Sequence, residues 1–468
     1  MLMKYINLKI FFVLSLILNQ SNIYAQSYGG WKISDSLNTA RAKHTATLLP
    51  NGNILVVGGS GKPLTTCEIY DTSSKKWRYT GSMKIGRSGH KSVLLPNGKV
   101  LVTGGYVTTS CELFDPVTET WTAADSNKII RTSGQTATLL KNGDVLIAGG
   151  IQYIEETSQM NIIKECELYN PQTNNWTVCD SLITARYGHT ATLLPDGRVL
   201  VAGGYNNKGH FLRSCEIFDP VAGTWQAADS LMTGRNGHSA TLLEDRRLLV
   251  AGGRNDTSLA LKDCEAYDPL NNKWTTLSPL NYYRCYHKAL LLPGGLIMFM
   301  GGSINFENWE LYDPVAGKSI YTGSVPVPKE DAEAILYSDG KVMSIGGYIW
   351  TQDNSYYYPT KICEIYDPLI TAIISRKEIF NDFELFQNYP NPFNSETNIV
   401  FKIPFTSMIS LEIYNCLGQT IETIIFNREY KQGKYSIKFN GDHISSGVYY
   451  YKLKCNSLSR FGKMVIIK

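Results

Sequence analysis

A lasting membrane span needs about 20 consecutive apolar residues, and no stretch of this sequence supplies them. The nearest approach is the nine-residue apolar run Ile10 to Leu18. Lys4 and Lys9 stand beside it and Ile23-Tyr24-Ala25 follows, so residues 1–25 are expected to be an export signal removed before Gln26. Cysteine is missing until Cys67, which leaves no thiol at the cleavage position to carry a lipid. Neither sign of charge dominates: 45 Lys and Arg face 41 Asp and Glu, for a formal net charge of +4. No basic run is dense enough to track a phosphate backbone, so nucleic acid is not expected as a partner.

What the chain has in abundance is glycine (40) and tyrosine (29), as a β-rich protein with many tight turns requires. Gly-Gly pairs begin at 58, 104, 149, 203, 252, 301 and 346, with steps of 46, 45, 54, 49, 49 and 45 residues. Seven units with a period near 50 residues predict blades of four strands each. In the fourth unit the apolar run Thr190 to Leu194 meets Pro195-Asp196-Gly197, and a second run, Val199 to Ala202, ends at the Gly pair. Asp-Gly predicts a hairpin turn with both central residues at positive φ. Cys215-Glu216-Ile217-Phe218-Asp219-Pro220 then forms a third strand and Trp225 marks a fourth.

The fourth-strand Trp recurs at 77, 121, 176, 225 and 274, is replaced near Ile320 and Tyr321, and is missing after Asp367-Pro368. Trp31 stands alone ahead of the first Gly pair, so Gly30 to Ile33 is expected to supply the outer strand of the seventh blade. The Gly pair, Glu-(Ile/Leu)-(Tyr/Phe)-Asp-Pro and the downstream Trp resemble the kelch repeat over roughly residues 30–368. The resemblance implies a seven-bladed β-propeller. It leaves function open, because kelch propellers include protein-binding and sugar-binding modules as well as galactose-oxidase-like and sialic-acid-epimerase-like enzymes.

Two polar registers repeat with the units. Arg41, Arg87, Arg186, Arg235 and Arg284 stand three places before His44, His90, His189, His238 and His287, while Gln135 and Ala332 take the His place in units three and seven. A metal site gathers three or four ligands within about 2 Å of one ion, whereas equivalent residues of different blades are spread around a ring. These histidines are therefore expected to be structural, bonding the backbone at the start of each innermost strand. Glu68, Glu112, Glu167, Glu216, Glu265, Glu310 and Glu364 fill the second register. A buried carboxylate needs a cation, so each should pair with an Arg of the Arg-x-x-His turn, within or between blades, with Lys329 substituting in the seventh unit and Arg131 one place out of register. Cys67, Cys111, Cys166, Cys215, Cys264 and Cys363 precede those Glu residues and read as small buried hydrophobes. Cys179 and Cys285 have no evident mate in the sequence, and Cys416 with Cys455 is the one pair expected to be able to bridge.

Ligand contacts are expected where loops are long on a rigid frame. The segment after the Gly pair runs from five residues (Tyr106 to Ser110) to fifteen (Ile151 to Glu165, and Tyr348 to Ile362). It carries Tyr106, Tyr153, Tyr205, His210, Phe211, Arg254, Tyr348, Trp350 and Tyr356 to Tyr358. Aromatic rings offer flat surface to sugar faces or partner side chains, and Arg254 offers a fork to a carboxylate. The expectation is a glycan- or protein-binding module without metal or cofactor. The alternative is a carbohydrate-active enzyme of galactose-oxidase-like or sialic-acid-epimerase-like type. No motif for either enzyme is present: His210 is the one propeller His outside the register, and Glu155, Glu156, Asp256 and Asp353 are merely acidic groups on the loops.

Residues 369–382 read as a linker. From Pro390-Asn391-Pro392 onward, alternating segments at Ile399 to Ile403, Ser410 to Tyr414, Thr420 to Phe426, Lys434 to Phe439, Val448 to Lys454 and Lys463 to Ile467 predict a small antiparallel sandwich. YPNPF, LEIYNCLGQ, SGVYYYKL and the final KMVIIK resemble the C-terminal sorting domain of the type IX (Por) secretion system of Bacteroidota over residues 383–468. That resemblance implies passage through the periplasm, recognition by an outer-membrane translocon, and release or attachment at the cell surface. The expected fold class is all-β: a seven-bladed kelch β-propeller over residues 26–368, followed by a small C-terminal β-sandwich.

Overall fold

Alternating apolar residues bounded by Gly and Asp-Pro turns fold into antiparallel meanders in the computed structural model. It describes residues 30–367 and 384–468, apart from 60–62, 106–107, 155–156, 158, 304–306, 338–339, 351–355, 404–406, 416–418, 432 and 456–457. The expected export signal (1–25) and the whole of the expected linker (369–382) therefore lie outside the described residues. No α-helix occurs among the described residues, so none is present that could cross a membrane.

Seven four-stranded sheets share one topology among the described residues before 368. In the first, Thr45–Leu48, Ile54–Val57, Cys67–Asp71 and Lys76–Tyr79 pair in sequence order. The hairpin between the first two strands differs from the expected turn. Gly52 N donates to Leu49 O at 2.9 Å, and of the turn residues only Gly52 is left-handed (φ 82°). The loop is thus one residue longer than a two-residue hairpin and asks one left-handed position of the sequence, not two. Innermost strands of successive sheets lie side by side, and Thr45–Leu48 touches both Lys91–Leu94 and Glu333–Tyr337, which closes the ring. The seventh sheet takes three strands from Glu333–Tyr337, Lys341–Ile345 and Cys363–Asp367, and its outermost strand is Gly30–Ile33, with Trp31 opposite Tyr366.

The second strands are buried throughout in blades one to six, as in Val199–Ala202, because each lies between two neighbouring sheets. Val199 and Val201 face the third blade beside Leu146 and Cys166, while Leu200 and Ala202 face the fifth beside Val250 and Tyr267. Each outer Trp leans on the aromatic residue opposite it, as in Tyr70–Trp77 at 5.2 Å and Phe218–Trp225 at 5.1 Å. In the sixth sheet Trp309 replaces the third-strand Cys. Gly323 stands opposite and makes room for it: a Cβ there would come within 2.8 Å of the indole nitrogen.

The carboxylate register pairs with the turn cations in all seven sheets: Arg41–Glu68, Arg87–Glu112, Arg131–Glu167, Arg186–Glu216, Arg235–Glu265, Arg284–Glu310 and Lys329–Glu364. The carboxylate also accepts backbone amides. Glu216 takes Ile183 N at 2.6 Å and Thr184 N at 3.0 Å. The guanidinium spends its remaining donors on carbonyls, with Arg186 Nη1 2.7 Å from Gly203 O and 2.8 Å from Ser214 O. Each pair thereby ties the incoming loop to the second and third strands of its own blade.

The second compact unit holds two sheets around one core. Glu384–Leu385, Glu396–Ile403 and Gly433–Asn440 form one. Thr420–Tyr430, Ser407–Tyr414, Gly447–Cys455 and Leu458–Ile466 form the other, in that order. Ile399, Phe401 and Ile403 of the first meet Ile409, Leu411, Ile413, Tyr451 and Leu453 of the second. The Cys416–Cys455 pair lies outside what is described: Cys416 and the Cys455 side chain are both among the omitted atoms.

Candidate functional site

On one face of the propeller, the loop entering each innermost strand meets the segment that follows the Gly pair. Tyr187 bridges Tyr205, Asn236 bridges Arg254, and Glu330 bridges Tyr348. The residue just before each register His is left-handed, with φ of 51° at Lys43, 69° at Gly89, 72° at Gly134, 63° at Gly188 and Gly237, 55° at Tyr286 and 48° at Asp331. At Gly89, Gly188, Gly237 and Tyr286 its amide reaches the equivalent carbonyl of the preceding blade, as in Gly237 N to Gly188 O at 3.0 Å and Tyr286 N to Gly237 O at 2.7 Å. Glycine adopts this conformation freely, whereas a residue with a Cβ gives up roughly 1–2 kcal/mol. Lys43, Tyr286 and Asp331 bear that cost in three neighbouring blades, six, seven and one, and place an ammonium, a phenol and a carboxyl around the axis.

Next to Tyr286 the long-loop residues converge. The Arg254 guanidinium carbon lies 5.4 Å from the centre of the Tyr286 ring and 5.9 Å from that of Phe211. Phe211 packs edge-on against Tyr205 at 4.8 Å, and Tyr205 against Tyr187 at 5.8 Å. Arg254 Nε donates to Asn236 Oδ1 at 3.2 Å, which fixes the guanidinium while leaving its two terminal nitrogens available. Among the described residues Arg254 has no ion-pair partner. Burial pushes the Tyr286 phenol up, opposed by the Arg254 charge, so the ring faces the cation as a neutral phenol.

Of the residues expected to bind, Tyr205, Phe211 and Arg254 therefore come together. Tyr348 belongs to a second group, edge-on to Tyr357 at 4.8 Å with Lys43 Nζ 5.9 Å over its ring. Tyr356 is exposed beside it. The Trp350 backbone lies in the strand Tyr348–Trp350, and its side chain is outside the described atoms, as is the whole of Tyr106. His210 sits on an exposed turn whose ends are tied by Asn206 N to His210 O at 3.1 Å. Tyr153 lies on a hairpin, Ile151–Ile154 with Gln159–Ile162, where the sequence reading expected only an irregular loop. Asn207 clamps that hairpin to the fourth blade, accepting from Ile162 N at 2.9 Å and donating to Ile162 O at 2.7 Å.

Tyr187, Asn236 and Tyr286 were not anticipated. A signal existed in the Arg-x-x-His turn, where RSGH and RNGH become RCYH: a bulky aromatic residue standing where four of the seven units place glycine.

The register histidines correct a second expectation. Four of the five bond a side-chain hydroxyl of the preceding blade, not the backbone at their own strand: His90 Nε2 meets Thr45 Oγ1 at 2.9 Å, His189 meets Thr136 at 3.1 Å, His238 meets Thr190 at 3.0 Å and His287 meets Ser239 at 2.8 Å. Burial, reinforced by the Arg three places earlier, holds His90, His189 and His287 down at about 3, and His44 and His238 well below the usual imidazole range. They are neutral spacers between blades. Among the described residues no three His, Cys, Asp or Glu side chains gather as a metal would need. Where Ala332 replaces the His, a cavity of about 20 Å³ remains beside Lys288, Lys329 and Glu364, room for about one water and no larger ligand.

Residues 114–313 match the family model described as Attractin/LZTR1 beta-propeller, 41–84 match the Kelch motif, and 387–468 match the Secretion system C-terminal sorting domain. This chain is a kelch β-propeller protein with a type IX sorting domain. Its kelch segment is similar to "Kelch-like protein 15" of Homo sapiens and of Mus musculus, each 35% identical over 71 residues, or 15% of this chain. The match spans only 12% of those relatives' own length. The structure is similar to one described as "Novel fungal alcohol oxidase with catalytic diversity among the AA5 family, in complex with copper", with a TM-score of 0.60 and 15% identity over 94% of this chain and 99% of that one. At that identity the likeness concerns the fold alone. The sorting domain marks export through the type IX machinery to the cell surface or the extracellular space.

Proposed function

We propose that the kelch propeller is an extracellular binding module that takes a glycan or protein ligand on its long-loop face, with Arg254 engaging a carboxylate of that ligand. The observation that supports this reading is Arg254 itself, a guanidinium flanked by Phe211 and Tyr286, oriented by Asn236 and, among the described residues, matched by no acidic side chain. A fork so held gives up little freedom on meeting a carboxylate, and Tyr205 and Tyr187 extend the apolar surface beside it. A charge-assisted hydrogen bond contributes about 1.5–3 kcal/mol. Arg254→Ala should therefore weaken binding to the acidic members of a glycan array, or to carboxylate-bearing surface proteins, by about 10- to 100-fold. Unchanged affinity in that variant would sink the assignment. The same preparation tests the enzymatic alternative: peroxide release from a sugar alcohol after copper(II) loading, or conversion of a sugar anomer or epimer, would replace binding by catalysis.

The sorting route has its own test. In a host equipped with the type IX machinery, a chain truncated after Ile370 should accumulate in the periplasm while the full chain reaches the surface or medium. Release of the truncated chain outside the cell would show that the terminal sandwich is not the address.

A further inference from the structure

The sequence offered Cys179 no partner, but the fold does. Cys166 opens the third strand of blade three (Cys166–Asn170) and Cys179 closes its outermost strand (Asn175–Cys179). The antiparallel register sets the two residues directly opposite each other. Opposed residues on such strands have Cα atoms roughly 4.5–5.5 Å apart, within the 4.4–6.8 Å span that a disulfide bridges. The equivalent partners in neighbouring blades are Ala124 opposite Cys111, Ala228 opposite Cys215 and Leu277 opposite Cys264, so the second thiol is peculiar to blade three. Both cysteines are thiols here, Cys166 buried and Cys179 partly exposed.

We propose that Cys166 and Cys179 form a disulfide once the protein is exported, stapling the outer hairpin of blade three at its long-loop end. Export takes the chain out of the reducing cytosol, where such a bond would not persist. The chemistry runs by exchange with a disulfide-bearing oxidant. The Cys179 thiolate attacks the oxidant's disulfide and expels one thiol. The Cys166 thiolate then attacks the Cys179 sulfur of the mixed disulfide and expels the second. Two protein thiols lose two electrons and two protons in all, and one oxidant disulfide becomes two thiols. The order of attack follows from the surroundings: the hydrogen bond from Cys166 lowers the Cys179 thiol, whereas burial raises Cys166. The staple sits where Leu182 N donates to Lys164 O at 2.9 Å, at the base of the segment that carries Tyr187 into the candidate site.

Both cysteines fall in one tryptic peptide, Glu165 to Arg186. The full chain, purified reduced, is equilibrated with oxidised glutathione, denatured in N-ethylmaleimide and digested. The expected peptide is two hydrogens lighter than the dithiol and carries no maleimide. After reduction it takes up two. Cys179→Ala should leave Cys166 open to the maleimide, and Cys285→Ser should change nothing. A doubly alkylated peptide after oxidation, a glutathione adduct that stops at Cys179, or loss of the Cys166 thiol in Cys179→Ala would each overturn the proposal.

Discussion

Replacing Glu216 with glutamine is expected to lower the unfolding free energy of the propeller by about 3–5 kcal/mol, the usual result of removing one member of a buried ion pair. Arg186 and Glu216 are 0% and 2% exposed. The neutral side chain would leave the guanidinium without its counter-charge, and its NH2 would point a donor at either Arg186 or the amides of Ile183 and Thr184. The pair contributes through the groups it orders, so a second variant separates charge from packing. Arg186→Met combined with Glu216→Leu should cost clearly less than the sum of the two single changes, because no charge is then stranded. Thermal or urea unfolding followed by tryptophan fluorescence reads the propeller transition. A loss below about 0.5 kcal/mol for Glu216→Gln would place the pair among ordinary surface contacts.

Acid should unfold the propeller early. The folded state holds five histidines neutral, three of them down at about 3, whereas in the unfolded chain each titrates near 6.5. A depressed folded pKa means that the unfolded state takes up more protons below about 6.5. Their stabilisation is complete above that value and is lost as the pH falls towards about 3. At pH 5 each histidine would cost about 2 kcal/mol relative to neutrality, so a few of them rival the whole stability of a typical domain. Melting temperature measured from pH 7 to 5, above the range where carboxylates titrate, should fall steeply. His189→Gln should flatten that slope, since Gln135 already occupies the same place in blade three. A melting temperature unchanged down to pH 5 would show that the rings protonate without opening the blades.

Much of the fold was legible because its determinants are local and repeated. Strand alternation, the tight turn between the first two strands and a Trp opposite a third-strand aromatic all lie within a single unit. The Arg and Glu registers were each readable as repeats, and the fold then settled that both partners of each pair belong to one blade. Even the shifted Arg131 reaches Glu167, because a side chain that long absorbs a one-residue offset. Four of the histidines were misjudged because their hydroxyl partners lie in the preceding blade, 45 to 53 residues away. The fifteen-residue segments after Gly150 and Gly347 do not alternate cleanly, so the hairpins Ile151–Ile162 and Tyr348–Pro359 were not anticipated.

The sequence by itself determined the blade: its strand order, the places of its turns and the number of copies, because strand alternation and turn signals act over a few dozen residues. Only the tertiary structure decided what neighbouring blades share. The first glycine of each pair shows why. A Cβ on Gly203 would meet Arg235 O at 2.6 Å and the His238 ring at 2.8 Å, both from the next blade. Tyr187, Phe211, Arg254 and Tyr286 likewise come from three consecutive blades, and Cys166 faces Cys179 only once a register is set. Closing the ring brings together residues that no local periodicity relates, and it is there that the candidate site and the candidate disulfide are found.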